Sequence, residues 1–237
     1  MNILLLNEHQ FLSPNRAIIK GRQLAHLQEV LKVSPGKIIN IGIKNSFLSQ
    51  AIIESITKEY AELQLLESWL EPPPTLPCTL ILGLPRPRML QRSLQTIATM
   101  GVQHLILIAS ERVEKSFWQT PLLKPDAINE QLELGLEQAK ATQIPLVSLC
   151  PNWREFSQTL LPTLCKNHVN KVFAHPGCAL QAASLPPGES LVAVGPEGGF
   201  VHDEIAAFLQ NGFSQVHLGE RILRVETAIP VLLAKLF

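Results

Sequence analysis

The chain has 237 residues, 46% of them hydrophobic, with 20 basic and 20 acidic side chains and no net charge at neutral pH. That is enough apolar material for one large domain or two modest ones, and too little bias for a disordered chain. No apolar run reaches the roughly 18 residues of a membrane span, and the overall balance carries no basic footprint for nucleic acid.

The opening MNILLLNEHQF is a short apolar run broken by Glu8. It reads as a strand and not as a secretory leader, which implies a cytoplasmic protein if the host is a bacterium. Further short strands are expected at Ala17–Ile19, Lys37–Ile43, Phe47–Ile56 and Ala61–Leu66. Between them QLAHLQEVLKV places Leu24, Leu27, Val30 and Leu31 at helical spacing. Residues 1 to 53 carry six basic side chains against Glu8 and Glu29, and residues 54 to 71 reverse the sign with five glutamates against Lys58. This stretch reads as a small β-barrel with one helix, and EPPPTLP at 71–77 closes it with an extended proline connector. The expected division is therefore 1–71 and 72–237.

After the connector, strands and helices alternate. CTLILGL, HLILIAS, LVSLC, NKVFAHP, SLVAVG and SQVHLG read as strands. RMLQRSLQTIATMG, DAINEQLELGLEQAKAT, WREFSQTLLPTL, DEIAAFLQNG and ETAIPVLLAKLF read as helices, the first ended by Gly101. Such alternation predicts an α/β fold with a mostly parallel sheet. LPRPRM, with Arg86 and Arg88, reads as an exposed basic loop, and Arg92 adds a third cation. The four cysteines lack CxxC spacing and read as reduced thiols. The seven scattered histidines give no metal-ligand pattern.

Two stretches carry the chemistry. VGPEGGF (194–200) ends a buried strand at Gly195 and precedes a helix, and the carboxyl edge of a parallel sheet is where ligands bind. Glycines there allow positive φ and let a ligand approach bare backbone; a tight packing turn is the competing explanation. Neither GxxxxGK[ST] nor GxGxxG is present, so the loop suits a base and amino-acid moiety better than a phosphate chain. LGERILRVETA (218–228) repeats the arrangement one strand later, with Glu226 and Thr227 placed to satisfy free N–H groups at a helix start.

VGPEGGF and LGERILRVETA resemble the two C-terminal signatures of the ribosomal RNA small subunit methyltransferase E family, within the SPOUT methyltransferases. HLQEVLKVSPGKIINI is similar, more loosely, to that family's PUA-like RNA-binding barrel. The resemblance implies a deep trefoil knot in the last third of the chain, S-adenosyl-L-methionine as cofactor, and a homodimer. It further implies methylation of N3 of one uridine in 16S rRNA of the 30S subunit. Carried onto this chain, the cofactor pocket comprises Ala174 and His175 of FAHPG, then Gly195, Gly198 and Gly199, then Leu218, Gly219, Ile222, Leu223 and Arg224. The sequence departs from the family at Val201, where a Ser or Thr is usual. It departs again at LQTIATMGV in place of KATELGV-like text, and at EQAKA in place of EQSGR.

Uracil N3 must lose its proton before it attacks a methyl sulfonium. Arg224 is the cation expected to orient RNA or the uracil anion, with a salt bridge to Glu226 or a partner subunit as its competing role. Glu197 reads as an acceptor for loop N–H groups sooner than as a base. N3 lies on the pairing edge, so the target must be unpaired or flipped out. Arg16, Lys20, Arg22, Arg86, Arg88 and Arg92 are the expected phosphate contacts. Two alternatives stay open: a methyltransferase of another rRNA or tRNA base, and an RNA-binding relative without catalysis.

Overall fold

The computed structural model describes residues 2–237. The chain forms two compact units, residues 1–74 with 136–144, and residues 75–135 with 145–237.

The first unit contains β1 (Leu4–Leu6), β2 (Phe11–Ser13), β3 (Arg16–Ile19), the helix α1 (Gly21–Ala25) with a π-helical turn at His26–Val30, β4 (Ile38–Ile43), β5 (Leu48–Ile56) and β6 (Ala61–Leu65). The six strands form one sheet in the order β1-β4-β5-β6-β3-β2. Only the β1–β4 pair is parallel. Alternate side chains are buried along β5 and β6, as a sheet with one covered face requires. Leu4, Leu6, Ile19, Leu24, Leu27, Ile41, Ile53 and Leu63 make its core. Strand β2 is the one strand here that the sequence pattern missed; three residues are too few for alternation to register.

The second unit contains β7 (Leu76–Gly83), α2 (Pro87–Thr99), β8 (Val102–Ile108), 3-10 turns at Lys115–Gln119 and Pro121–Leu123, and α3 (Pro125–Ala139), whose last residues count with the first unit. It continues with β9 (Leu146–Cys150), α4 (Trp153–Glu155), a π-helical turn at Phe156–Leu160, α5 (Leu161–Asn167), β10 (Asn170–Ala174), β11 (Ser190–Val194), α6 (His202–Gln210), β12 (Ser214–Val216) and α7 (Val225–Leu236). The sheet is six-stranded and parallel throughout, in the order β12-β10-β11-β7-β8-β9. Burial is continuous along β11 and the last six residues of β7, which lie inside the sheet. That is why these strands read as unbroken apolar runs.

Helix α2 buries Leu90, Ser93, Leu94, Ile97 and Ala98, the stripe of a half-covered helix. It starts with Pro87 at its first position, where a missing N–H costs nothing. Arg88 and Arg92 therefore stand one turn apart on a helix face, and the expected basic loop is confined to residues 84–86. Gly101 follows the helix with φ +77°, as a terminating glycine should.

Candidate functional site

The site begins with strand register. Ala174 at the end of β10 pairs with Val194 of β11 on one side and Val216 of β12 on the other. Three loops therefore leave the sheet at one level, from three adjacent strands. They line one cavity of about 780 Å³. Its walls include Ala174 and His175 from the first loop, Gly195, Gly198 and Gly199 from the second, and Leu218, Gly219, Ile222, Leu223 and Arg224 from the third. The structure thus brings together all ten residues expected to hold the cofactor.

Two phenylalanines anchor the loops. Phe173 precedes Ala174 and Phe200 closes GPEGGF; both are buried, with ring centroids 6.4 Å apart. Phe200 also packs 4.9 Å from Phe208 of α6, which in turn meets Phe173 at 5.5 Å and Phe213 at 5.1 Å. This aromatic cluster fixes the floor from which the polar loops rise.

The glycines divide their tasks. Gly199 takes φ +72°, the left-handed conformation that side chains resist. A Cβ on Gly195 would stand 3.1 Å from the Phe200 nitrogen, so this position serves the loop's own fold. A Cβ on Gly198 would stand 2.9 Å from Cδ of Arg112. Gly219 has φ +127° and open space where a Cβ would go. The competing explanation, turn chemistry, therefore accounts for Gly195 and Gly199, and bare backbone facing open space is found at Gly219.

Carboxylates lock this loop to its neighbours. Glu197 accepts the Arg86 N–H at 3.1 Å, in line with the structural role expected of it. Glu204, 1% exposed, accepts from Ser110 Oγ at 3.0 Å, from the Glu111 N–H at 2.8 Å and from the Val201 N–H at 2.9 Å. The loops after β7 and β8 are thereby tied to the loop after β11. Arg112 Nη1 donates to the Gly198 carbonyl and also lines the cavity.

Burial, and next the charge of Arg112, hold His175 below the usual imidazole range. Arg224 is the N-cap residue of α7, and its carbonyl accepts the N–H groups of Thr227 and Ala228. Among the described residues Arg224 makes no ion pair, so the bridge to Glu226 is not formed. Glu226 does not cap α7 either: the helix starts at Val225, which puts Glu226 inside the first turn with its Oε2 buried and unpartnered. Neither Glu226 nor Thr227 caps α7 as the sequence led us to expect, because both lie inside the helix and its N-cap residue is Arg224.

The six expected phosphate contacts differ in their surroundings. Arg16 reaches Glu54 at 2.7 Å and Glu62 at 3.0 Å, and Arg22 reaches the enclosed Glu137 at 2.8 Å. Lys20, Arg86, Arg88 and Arg92 are exposed and form no ion pair among the described residues. All four cysteines are free; Cys78 is buried and the others half-buried. Among the described residues, no cluster of His, Cys, Asp and Glu could hold a metal ion, and no helix is long and apolar enough to cross a membrane.

A parallel α/β sheet with a cavity built from loops at its carboxyl edge defines a class of ligand-binding domain, and the sequence assigns the family. The pattern of the RNA methyltransferase domain matches residues 71–236, and the chain belongs to that family. The chain is similar to ribosomal RNA small subunit methyltransferase E of Treponema pallidum, 28% identical over 232 residues, covering 96% of this chain and 87% of that protein. The protein of the same name from Synechocystis is 27% identical over 220 residues, covering 90% and 70%. Among solved structures, the fold is shared with ribosomal RNA small subunit methyltransferase E of Neisseria gonorrhoeae bound to S-adenosyl methionine, at TM-score 0.72 and 24% identity over 98% of this chain and 94% of that one. A Legionella pneumophila protein in complex with the same cofactor gives TM-score 0.75 at 20% identity, over 99% and 96%.

Proposed function

We propose that this chain binds S-adenosyl-L-methionine in the three-loop cavity and methylates N3 of a uridine in 16S rRNA. The observation that carries the reading is the third loop. Among the described residues, the peptide N–H groups of Leu218 and of Glu220 to Leu223 donate to no protein acceptor. Their residues line the cavity beside the open Gly219. A buried ligand with ring nitrogens and a ribose would satisfy them, and the cavity has the volume typical of small-molecule sites. The residues present therefore fit the group. The names of the relatives support the choice of rRNA.

When bound, S-adenosylmethionine supplies an electrophilic methyl on a sulfonium. The remaining work is positioning and charge. Ala174, His175, Gly195, Gly198, Gly199, Leu218, Gly219, Ile222 and Leu223 hold the cofactor. Arg224, at the rim, orients the uracil and favours its N3 anion. The N3 proton would leave to solvent or a base, and the bound cofactor would then supply the methyl group to N3, its sulfur keeping the electron pair of the C–S bond.

Residues 1–71 would serve as the PUA-like RNA-binding domain and 72–237 as the knotted catalytic domain of a cytoplasmic homodimer acting on the 30S subunit. In support of the knot, β12 lies beside β10 on the far side from β11, so the connection from β11 to β12 has to pass β10. Phosphate contacts would fall first to Lys20, Arg86, Arg88 and Arg92; Arg16 and Arg22 would have to exchange a carboxylate for a phosphate.

The test is methyl transfer from labelled S-adenosylmethionine to 30S subunits isolated from cells lacking the gene. Label on 16S rRNA, at a uridine whose N3-methyl stops reverse transcription, is the expected result. Cofactor binding without label on 30S would redirect the activity to another RNA. Absence of cofactor binding would overturn the reading of the cavity.

A further inference from the structure

Every residue lining the cavity but one lies within 174–228, in the three pocket loops and the strand and helix ends beside them; the exception is Arg112, which follows β8. Its position is fixed from both sides in sequence. Glu204 takes hydrogen bonds from Ser110 and Glu111, the two residues before it. The Val113 N–H then donates to the Ser110 carbonyl at 2.9 Å, closing a turn around Arg112. The aliphatic stem lies against Gly198, where a Cβ would come within 2.9 Å of Cδ and 3.1 Å of the arginine Cβ. That glycine is needed to seat the arginine.

The head group is held but not neutralised. Of the five N–H donors of a guanidinium, one reaches the Gly198 carbonyl. Among the described residues no carboxylate forms an ion pair with it. Two carboxylates line the cavity, and one of them, Glu197, is engaged by the Arg86 N–H. Burial and the charge of Arg112 both disfavour the cationic form of His175. Arg112 is therefore a permanent positive charge in the cavity wall beside Gly198, backed by hydrogen-bonded loops and with donors to spare. A planar anion offers the two parallel acceptors that such a fork takes best.

We infer that Arg112 is the anion-receiving side chain of the cavity. Resting on the methyltransferase reading, this leaves two planar sources for the anion: the carboxylate of the cofactor's amino-acid end, or a carbonyl oxygen that carries charge in the deprotonated uracil, with N3 left free. The proposal is a charge-binding role for a residue outside the three loops, whichever source supplies the charge.

The experiment compares the wild-type protein with Arg112→Gln and Arg112→Lys. Calorimetry gives Kd for S-adenosylmethionine and for an S-adenosyl analogue lacking the carboxylate. Methyl transfer to 30S gives kcat/KM against pH, and thermal melting without ligand checks the fold. If the cofactor carboxylate is the anion, Arg112→Gln weakens S-adenosylmethionine by about 10- to 100-fold and leaves the analogue unchanged. If the uracil is the anion, both Kd values hold, kcat/KM falls by a similar factor and the rise of rate with pH moves to higher pH. Arg112→Lys, which keeps the stem and the charge but not the fork, recovers part of the binding or rate in either case and guards against a misfolded glutamine variant. Values within twofold of wild type for both variants in both assays would overturn the inference. A wild-type protein that fails to bind S-adenosylmethionine would overturn the methyltransferase reading itself, and this inference with it.

Discussion

Glu204 shows how one enclosed side chain can organise a site it does not enter. Replacing it with alanine leaves the Ser110 hydroxyl and the Glu111 and Val201 N–H groups without an acceptor. The expected cost is about 2–5 kcal/mol, since each orphaned buried donor forfeits its full desolvation energy. Urea unfolding measures it. Three histidines held below the ordinary value contribute to the acid side of stability, His26 among them, lowered first by burial. His175 is lowered by burial and by Arg112, and His104 by burial and by His168, from the usual 6.5. The unfolded chain takes up protons near pH 6.5 that the folded chain refuses, so stability falls as pH drops through that value and levels off below the folded-state values. Above it the effect is absent. The urea midpoint should therefore decline on acidification, and His104→Gln should flatten the decline. Burial pushes the Cys78 thiol up to about 12, so it should resist alkylation at mild alkaline pH until the protein unfolds. At this scale the shared cavity of the ten residues expected to hold the cofactor was legible, because each sits in a compact local pattern. Arg112 was not. It lies in ERVEKSF with no motif around it, and its meaning depends on Gly198, 86 positions away.

Two elements carry predictions of their own. Helix α6 begins after Val201, which has the extended conformation of a cap residue, φ −85° and ψ 168°, but no oxygen to offer. Val201→Ser should stabilise the protein by about 1 kcal/mol by supplying the missing acceptor, and a rise in Tm would record it. Gly135 of α3 lies against α2: a Cβ there would collide with the Gln95 carbonyl and stand 2.9 Å from Ala98 Cβ. Gly135→Ala should cost about 1–3 kcal/mol despite its better helix propensity, because packing overrides it; a Tm that rose instead would show that the helices can separate freely. Boundaries of strands and helices were largely readable from periodicity. The π-helical turn at His26–Val30 and the 3-10 turns at 115–123 were not, since they depend on local backbone choices that apolar spacing does not encode.

For the whole molecule, the alternation of apolar runs predicts a parallel sheet, and it is found. The order β12-β10-β11-β7-β8-β9 lies beyond such reasoning, because it is decided by crossovers between distant segments. RNA affinity is a property of this scale too. Arg88 and Arg92 stand four residues apart on α2 with Arg86 at its start. Alanine at all three should weaken RNA binding and reduce the dependence of log Kd on log salt by about 0.7–0.9 for each phosphate that is no longer neutralised. An unchanged slope would remove these residues from the RNA interface.

The register that aligns Ala174, Val194 and Val216 also imposes an order in time. All three pocket loops are drawn from residues 174–228, so a ribosome has made most of the chain before any of these loops exists. A nascent chain halted after the second loop holds its glycines against Arg112 and His175 but lacks the third wall of the cavity. Ligand affinity therefore arises late and all at once during synthesis. From that moment a ligand that fills the cavity stabilises the finished sheet by mass action, so its supply in the cell would bear on how many new chains reach the native state.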